Sequence, residues 1–136
     1  MPDMAPRPRI AIVDDEEPVR RALRRMLGTA LFTVDDFASG QEFLDSLLTR
    51  QPDCVLLDFQ MPGLNGRDVC ERMRLARIDV PVILMSAHEP HALRVPCIAD
   101  GTCAYLHKPL QREQLIQALQ AATHAASSAR RGSDPA

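Results

Sequence analysis

The chain has 136 residues, of which 46% are hydrophobic and 25% are charged, and its formal net charge is -2. These values allow one globular domain with a buried core, and they exclude a broadly basic, nucleic-acid-binding protein. No apolar run approaches the roughly 20 residues of a membrane span, and residues 1–8 lack the apolar region of a secretion signal. We therefore expect a cytoplasmic protein with no membrane contact and a disordered N-terminal extension.

Short apolar runs, typical of buried strands, alternate along the chain with helical patterns. The predicted strands are residues 10–13, 32–37, 54–57, 82–85 and 103–107, and the second of them is the most polar. Between the strands, and after the last one, apolar residues recur at helical spacing. Five strands that alternate with five helices indicate an α/β fold with a parallel sheet covered on both faces.

The first two predicted helices have a clear apolar face. In the first helix this face consists of Val19, Ala22, Leu23, Met26 and Leu27. Its arginines, residues 20, 21, 24 and 25, are interpreted as a solvated face or as a docking surface for a kinase or phosphotransfer partner. In the second helix, Ser39 and Glu42 form a capping-box pattern ahead of an apolar set, namely Phe43, Leu44, Leu47 and Leu48.

The remaining helices differ in the strength of their signal. The third is predicted to turn Val69, Cys70 and Met73 inward, and the last is marked by Leu115, Ile116, Leu119 and Ala122. The fourth, between Glu89 and Asp100, contains Pro96, and a proline inside a helix costs about 3 kcal/mol. We expect that helix to be short, kinked or partly unwound.

The end of the chain and the cysteines carry little signal for function. From residue 125 the sequence has nothing to bury, so residues 9–124 are predicted to form the domain and residues 125–136 a disordered tail or linker. Cys54, Cys70, Cys97 and Cys103 show no CxxC spacing and are interpreted as small apolar residues. His88 and His91, near Cys97, lack the fourth ligand that a structural zinc site needs.

Polar side chains stand where four of the predicted strands end. Asp14 and Asp15 follow the first strand, Asp58 the third, Ser86 the fourth and Lys108 the fifth. Because ligands bind at the carboxyl ends of parallel strands, these residues are expected to share one crevice. Three carboxylates so close together repel one another unless a cation intervenes, and Mg²⁺ prefers such oxygen ligands. A carboxylate in this setting can act as a nucleophile and form an aspartyl phosphate.

Four sequence blocks resemble the receiver domain of two-component response regulators. They are Ile-Val-Asp-Asp-Glu at 12–16, Leu-Leu-Asp at 56–58 with Met-Pro-Gly and Asn-Gly after it, Ser-Ala at 86–87, and Tyr-Leu-His-Lys-Pro at 105–109. The blocks occur in family order and at family-like spacing over about residues 9–122. The resemblance implies a flavodoxin-like, doubly wound sheet with strand order 2-1-3-4-5 and five helices.

The resemblance also implies roles for the residues of the crevice. Asp58 matches the phospho-acceptor, and Lys108 matches the lysine that contacts the phosphoryl oxygen. The implied Mg²⁺ ligands are Asp15, Asp14, which often acts through water, Asp58 and the backbone carbonyl of Gln60.

Further residues are implied to take part in switching. Ser86 matches the hydroxyl that turns toward the phosphoryl group, and Tyr105 matches the aromatic residue whose rotamer changes with activation. Gln60 and His88 occupy positions that tune the lifetime of the phosphoryl group. Pro109 follows the lysine where a cis peptide is typical of the family. The surface that most often changes in the family includes the fourth helix, the fifth strand and the fifth helix.

The function implied is phosphorelay signal transduction. A histidine kinase or histidine phosphotransfer protein donates the phosphoryl group, and a protein-interaction surface then changes. The only activities expected are self-phosphorylation and autodephosphorylation, in a monomer or a phosphorylation-dependent dimer with an unidentified downstream partner and no direct binding of nucleic acid. One alternative is the excised regulatory domain of a helix-turn-helix transcription factor. Others are an interaction module without a switch, and a phosphatase, for which a cap domain and a second acid at position 60 are missing.

Overall fold

Five parallel strands form the centre of the fold in the computed structural model, which describes residues 7–28, 31–87 and 103–132. The strands are β1 Arg9–Val13, β2 Thr33–Phe37, β3 Cys54–Asp58, β4 Val82–Ser86 and β5 Cys103–His107. Within the described ranges the helices are α1 Glu17–Leu27, α2 Gly40–Ser46, α3 Gly66–Leu75 and α4 Arg112–Gly132. The predicted helix between Glu89 and Asp100 lies outside these ranges, as do Pro96, His88, His91 and Cys97, and residues 1–6.

The sheet has the order β2-β1-β3-β4-β5, and every neighbouring pair is parallel. This confirms the expected flavodoxin-like, doubly wound fold. In register, Val13 lies opposite both Phe37 and Leu57, and Asp58 lies opposite Met85. The carboxyl ends of the strands are therefore level with one another, and the residues that follow them meet at one edge.

Two apolar clusters hold the sheet, one on each face. Alternate residues of the central strands belong to opposite clusters, as Val55 and Leu56 do in β3. One cluster packs α2 and α3 against the sheet through residues such as Phe43 and Val69, and the other packs α1 and α4. Burial on both faces explains why these strands are continuous apolar runs without alternation.

Most predicted core positions are buried, including Val69, Cys70 and Met73 of α3. Two predictions are wrong. Ala22 is exposed, because it lies at the margin of the apolar face of α1. Leu48 is 90% exposed, because the chain after α2 tightens into bonds between residues three apart, and that turn rotates the side chain off the apolar face.

Helix α4 is longer than the sequence predicts. Its backbone continues to Gly132, although a disordered tail is expected from residue 125. Three of residues 125–132 are alanine, the residue with the highest helix propensity, which favours this continuation. The limits of the domain stay a prediction. None of the helices in the described ranges has the length and apolar character needed to cross a membrane.

The start of α3 lies against the backbone at the end of β3. A Cβ atom on Gly66 would lie 2.8 Å from the Cα of Phe59 and 3.1 Å from the carbonyl oxygen of Asp58. The Gly66 amide donates to the Phe59 carbonyl at 2.8 Å. Asn65 and Asp68 form a reciprocal capping box at this helix end, which the sequence analysis missed. Only glycine lets α3 begin so close to β3.

We predict that Gly66→Ala lowers the free energy of unfolding by about 1–3 kcal/mol, because the new methyl group collides with backbone. Urea unfolding followed by circular dichroism measures the change. Gly63→Asn is the matched control, since Gly63 has a φ of 75° and a Cβ atom added there would have no other atom within 4 Å. Asparagine tolerates that conformation, so the control should stay within about 1 kcal/mol. Equal stability of Gly66→Ala and wild type would contradict the packing described.

Candidate functional site

The expected side chains do meet at the carboxyl edge of the sheet. Asp14 directly follows β1, Asp58 and Ser86 are the last residues of β3 and β4, and Lys108 directly follows β5. Asp14, Asp58 and Ser86 are only 0%, 4% and 1% exposed, and they are the buried polar residues of the described part of the chain. The sheet therefore places the polar groups of its interior in one place.

Lys108 joins the two buried carboxylates. Its Nζ donates to Oδ2 of Asp14 at 3.1 Å and lies 3.3 Å from Oδ1 of Asp58. The Lys108 amide also donates to the carbonyl of Ser86 at 2.8 Å, which ties the start of the following loop to β4. The peptide bond between Lys108 and Pro109 is cis, as expected. One ammonium group thus stands between two negative charges that have little contact with water.

Three carboxylates are close enough to share a cation. Asp14, Asp15 and Asp58 each offer one oxygen, and these oxygens lie within 4.8 Å of one another. Asp15 is exposed, so the group opens to solvent on that side. The donors are all oxygens, which fits a hard cation such as Mg²⁺ and does not fit a metal that prefers sulfur.

The other predicted residues lie at different distances from this group. The backbone amide of Gln60 donates to Oδ1 of Asp58 at 3.4 Å, and the Gln60 residue is exposed. Tyr105 lies in β5 opposite Leu84, and it is half-buried against the cluster that holds α2 and α3. His88 lies outside the described residues, so its predicted role stays a prediction.

Burial makes ionisation of Asp58 unfavourable. Desolvation is the largest cause, and repulsion from Asp14 adds to it, whereas Lys108 and the Gln60 amide oppose it. The net effect raises the pKa of Asp58 from 3.8 to about 6. The carboxylate is therefore mostly ionised at neutral pH, but it is held in a site that favours a further positive charge.

The ammonium of Lys108 responds in the complementary direction. Desolvation lowers the pKa of Lys108, but attraction to Asp58 and Asp14 and the hydrogen bonds with both outweigh that loss. Its pKa therefore lies above its ordinary value. Lys108 stays protonated at physiological pH and acts as a permanent positive charge in the site.

Arg20 also belongs to the surroundings of the site, and the sequence analysis missed it. Its guanidinium group donates to the backbone carbonyl of Asp14 at 2.8 Å. The interpretation of the α1 arginines as a solvated face is wrong for Arg20, whose side chain is only 14% exposed. The alternative, a docking surface for a kinase or phosphotransfer partner, stays a prediction. The sequence offers only a weak signal for this contact, namely the position of Arg20 six residues after Asp14. Its acidic partner, Asp36, lies in β2.

The cysteines with described side chains take no part in the site. Cys54 and Cys70 are buried and form no disulfide. Burial raises the pKa of each thiol to about 12, so neither is available as a thiolate. Their interpretation as small apolar residues is confirmed.

Sequence comparison matches this chain to a family model and to curated proteins of the same family. Residues 10–120 match the family model described as "Response regulator receiver domain". "Response regulator MprA" of Mycolicibacterium vanbaalenii is 36% identical over 113 residues, which are 83% of this chain and 49% of that protein. Its namesake in Mycobacterium avium is 35% identical over the same share of this chain and 50% of its own length. The chain thus spans about half the length of the curated relatives it matches.

Solved structures agree with this match. A response regulator receiver protein from Burkholderia phymatum is 40% identical, with a TM-score of 0.74 over 87% of this chain and 96% of that one. Full-length FixJ from B. japonicum is 30% identical, with a TM-score of 0.83 over 93% of this chain and 63% of that one. The range matched by the family model, residues 10–120, includes Asp14, Asp58, Ser86 and Lys108.

We predict that Asp58→Asn stabilises the metal-free protein at pH 7.5. The folded state holds the Asp58 proton between about pH 4 and 6 while the unfolded state loses it, so ionisation lowers stability as pH rises through this window. A shift from 3.8 to about 6 corresponds to at most roughly 3 kcal/mol. The gain should be about 1–3 kcal/mol at pH 7.5 and vanish near pH 4.

Urea unfolding with a chelator present measures this difference at both pH values. Asp79→Asn is the control, because Asp79 is exposed and its substitution should change stability by less than about 0.5 kcal/mol. A metal-free Asp58→Asn protein that is less stable than wild type at pH 7.5 would mean that the contact with Lys108 outweighs desolvation.

Proposed function

This chain belongs to the response regulator receiver domain family, and from that premise we propose that Asp58 accepts a phosphoryl group from a histidine kinase or histidine phosphotransfer protein, with Mg²⁺ as cofactor. The observation that carries the proposal is the pairing of the buried Asp58 carboxylate with Lys108 beside two further carboxylates. The chain is a signalling protein, and its proposed activities are self-phosphorylation and autodephosphorylation.

The all-oxygen donor set supports a hard divalent cation such as Mg²⁺ over a metal that prefers sulfur. Asp14, Asp15 and Asp58 would hold the ion together with the backbone carbonyl of Gln60 and water. When bound, Mg²⁺ neutralises negative charge and polarises a phosphoryl oxygen. Asp15 offers the exposed side of the group, through which a phosphoryl donor has access.

Asp58 is the nucleophile in the proposed reaction. One of its carboxylate oxygens forms a bond to phosphorus, the bond between phosphorus and the donor histidine nitrogen breaks, and that nitrogen keeps the electron pair. With a pKa of about 6, most Asp58 is ionised at neutral pH and ready to attack. Lys108, already 3.3 Å from Asp58, needs only a small movement to contact a phosphoryl oxygen.

The proposed switch follows from the added charge. A phosphoryl group brings about -1.5 to -2 charges into a site whose ammonium group is now shared between Asp14 and Asp58. Lys108 is then drawn toward the phosphoryl oxygens, and Ser86 offers a hydroxyl donor from the adjacent strand. Movement of Tyr105 on β5 would transmit the change to the surface.

A second candidate is the regulatory part of a longer protein. It is favoured by one observation, that the curated relatives are about twice as long as the matched region. In that case phosphorylation of Asp58 would control a further segment, such as a helix-turn-helix output domain. The kinase, the downstream partner, the oligomeric state and the cytoplasmic location stay predictions, as do lifetime tuning by Gln60 and His88.

We predict that Mg²⁺ and acetyl phosphate add one phosphoryl group to the wild-type protein, measured by intact mass. Omission of Mg²⁺ should abolish the gain, because three carboxylates would otherwise repel the incoming anion. Asp58→Asn should abolish it as well, whereas Asp79→Asn should behave as wild type. Labelling that survives Asp58→Asn would show that the acceptor is another residue, and Mg²⁺ binding without labelling would favour an interaction module without a switch.

We also predict that Lys108→Met binds divalent cations about three- to tenfold more tightly at pH 8, because an ammonium group no longer competes for the same oxygens. The same variant should lose phosphorylation by acetyl phosphate. Isothermal titration with Mg²⁺ measures the affinity, and Lys108→Arg, which keeps the charge, is the control. Weaker cation binding by Lys108→Met would mean that Lys108 holds the carboxylates in their ligating positions.

A further inference from the structure

Arg20 bridges three elements of the fold through one guanidinium group. Its Nε donates to Oδ2 of Asp36 in β2 at 3.0 Å, and its Nη1 donates to the backbone carbonyl of Asp14 at 2.8 Å. The side chains of Arg20 and Asp36 are 14% and 23% exposed. Because a guanidinium group is planar, a carboxylate that fixes one edge also fixes the direction of the other donors.

The carbonyl that Arg20 contacts belongs to the peptide between Asp14 and Asp15. Its orientation decides where the backbone of Asp15 begins, and therefore where that carboxylate points. Asp14 itself is held by its amide, which donates to the Phe37 carbonyl at 3.2 Å, and by its Oδ1, which accepts from the Glu16 amide at 2.9 Å. Its Oδ2 accepts from Lys108 at 3.1 Å, and the contact with Arg20 fixes its backbone carbonyl.

We propose that Arg20, oriented by Asp36, is a positioning residue that sets the geometry of the Asp14 and Asp15 carboxylates for cation binding. The inference rests on the proposed function in so far as the cation is the cofactor of phosphoryl transfer. Mg²⁺ requires near-octahedral geometry, so a small rotation of the peptide between the two ligands costs affinity. Contacts behind metal ligands commonly change affinity by about 10- to 100-fold.

Two other arginine–aspartate ion pairs have the same chemistry and serve as controls. Arg24 donates to the other oxygen of Asp36 at 3.0 Å, but its side chain is 46% exposed and no contact with the site is found for it among the described residues. Arg9 pairs with Asp35 at 2.7 Å at the opposite end of β1. A purely structural role of the arginine pairs would make all three comparable, whereas the proposal singles out Arg20.

The test is a titration with Mn²⁺, which accepts the same oxygen ligands as Mg²⁺. Binding is measured by the decrease in the electron paramagnetic resonance signal of the free ion. Arg20→Ala is expected to weaken binding about tenfold or more, and Arg24→Ala to leave it within about twofold. Asp36→Asn should weaken Mn²⁺ binding as much as Arg20→Ala does. The double variant, Arg20→Ala with Asp36→Asn, should lose no more affinity than the more affected single variant, because both substitutions remove the same contact between Asp36, Arg20 and Asp14. Arg20→Lys keeps the positive charge but not the planar guanidinium group that makes both contacts, so it should also bind Mn²⁺ more weakly.

Urea unfolding of each variant separates positioning from stability. Unchanged Mn²⁺ affinity in folded Arg20→Ala or Arg20→Lys would overturn the inference, whatever the loss of stability, and so would equal losses of affinity in Arg20→Ala and Arg24→Ala. If Arg20→Ala does not fold, Arg20→Lys and Asp36→Asn decide the question. Failure of the wild-type protein to bind Mn²⁺ would overturn the proposed function as well, whereas binding by wild type with no effect of Arg20 would overturn this inference alone.

Discussion

The sharing of one ammonium group by two buried carboxylates is the contact on which the rest of this structure depends. Asp14 and Asp58 are almost fully shielded from water, and Lys108 is the positive charge that reaches both. One positive charge does not balance two negative charges. The pKa of Asp58 is raised mainly by its burial, and repulsion from Asp14 adds to that effect. The site is therefore electrostatically incomplete by itself, and it is suited to a reaction in which positive and negative groups enter together.

The sheet makes this arrangement possible at a fixed distance. Parallel strands in level register bring the ends of β1, β3 and β5 to one edge, although the residues at these ends are far apart in sequence. Apolar packing on both faces keeps the strands from sliding, so the core helps to offset the repulsion between like charges that Lys108 does not cancel. Gly66 adds a second constraint, because it brings α3 against the backbone of Asp58 and Phe59.

The strand ends, and with them Asp14, Asp58, Ser86 and Lys108, could be predicted because buried parallel strands are continuous apolar runs that stop at a polar residue. The contact of Arg20 with the site could not be predicted, because the orientation of its guanidinium group depends on Asp36. That residue lies in another element, and the periodicity of the sequence does not identify it as a partner. Leu48 and α4 show two further limits. The tightened turn at Leu48 is set by local backbone bonds, and the sequence of residues 125–132 has no apolar period that would predict how far α4 continues.

Helix α4 has a mechanical consequence. Its 21 residues span roughly 31 Å, whereas a strand of 5 residues spans roughly 16 Å, so the helix is about twice as long as the sheet is tall. Its buried anchors, Leu115 and Leu119, lie in the first half. A tilt of a few degrees about these two residues displaces the C-terminal end of the helix backbone by about 2 Å. A rearrangement too small to disturb the core is thus amplified with distance from the sheet.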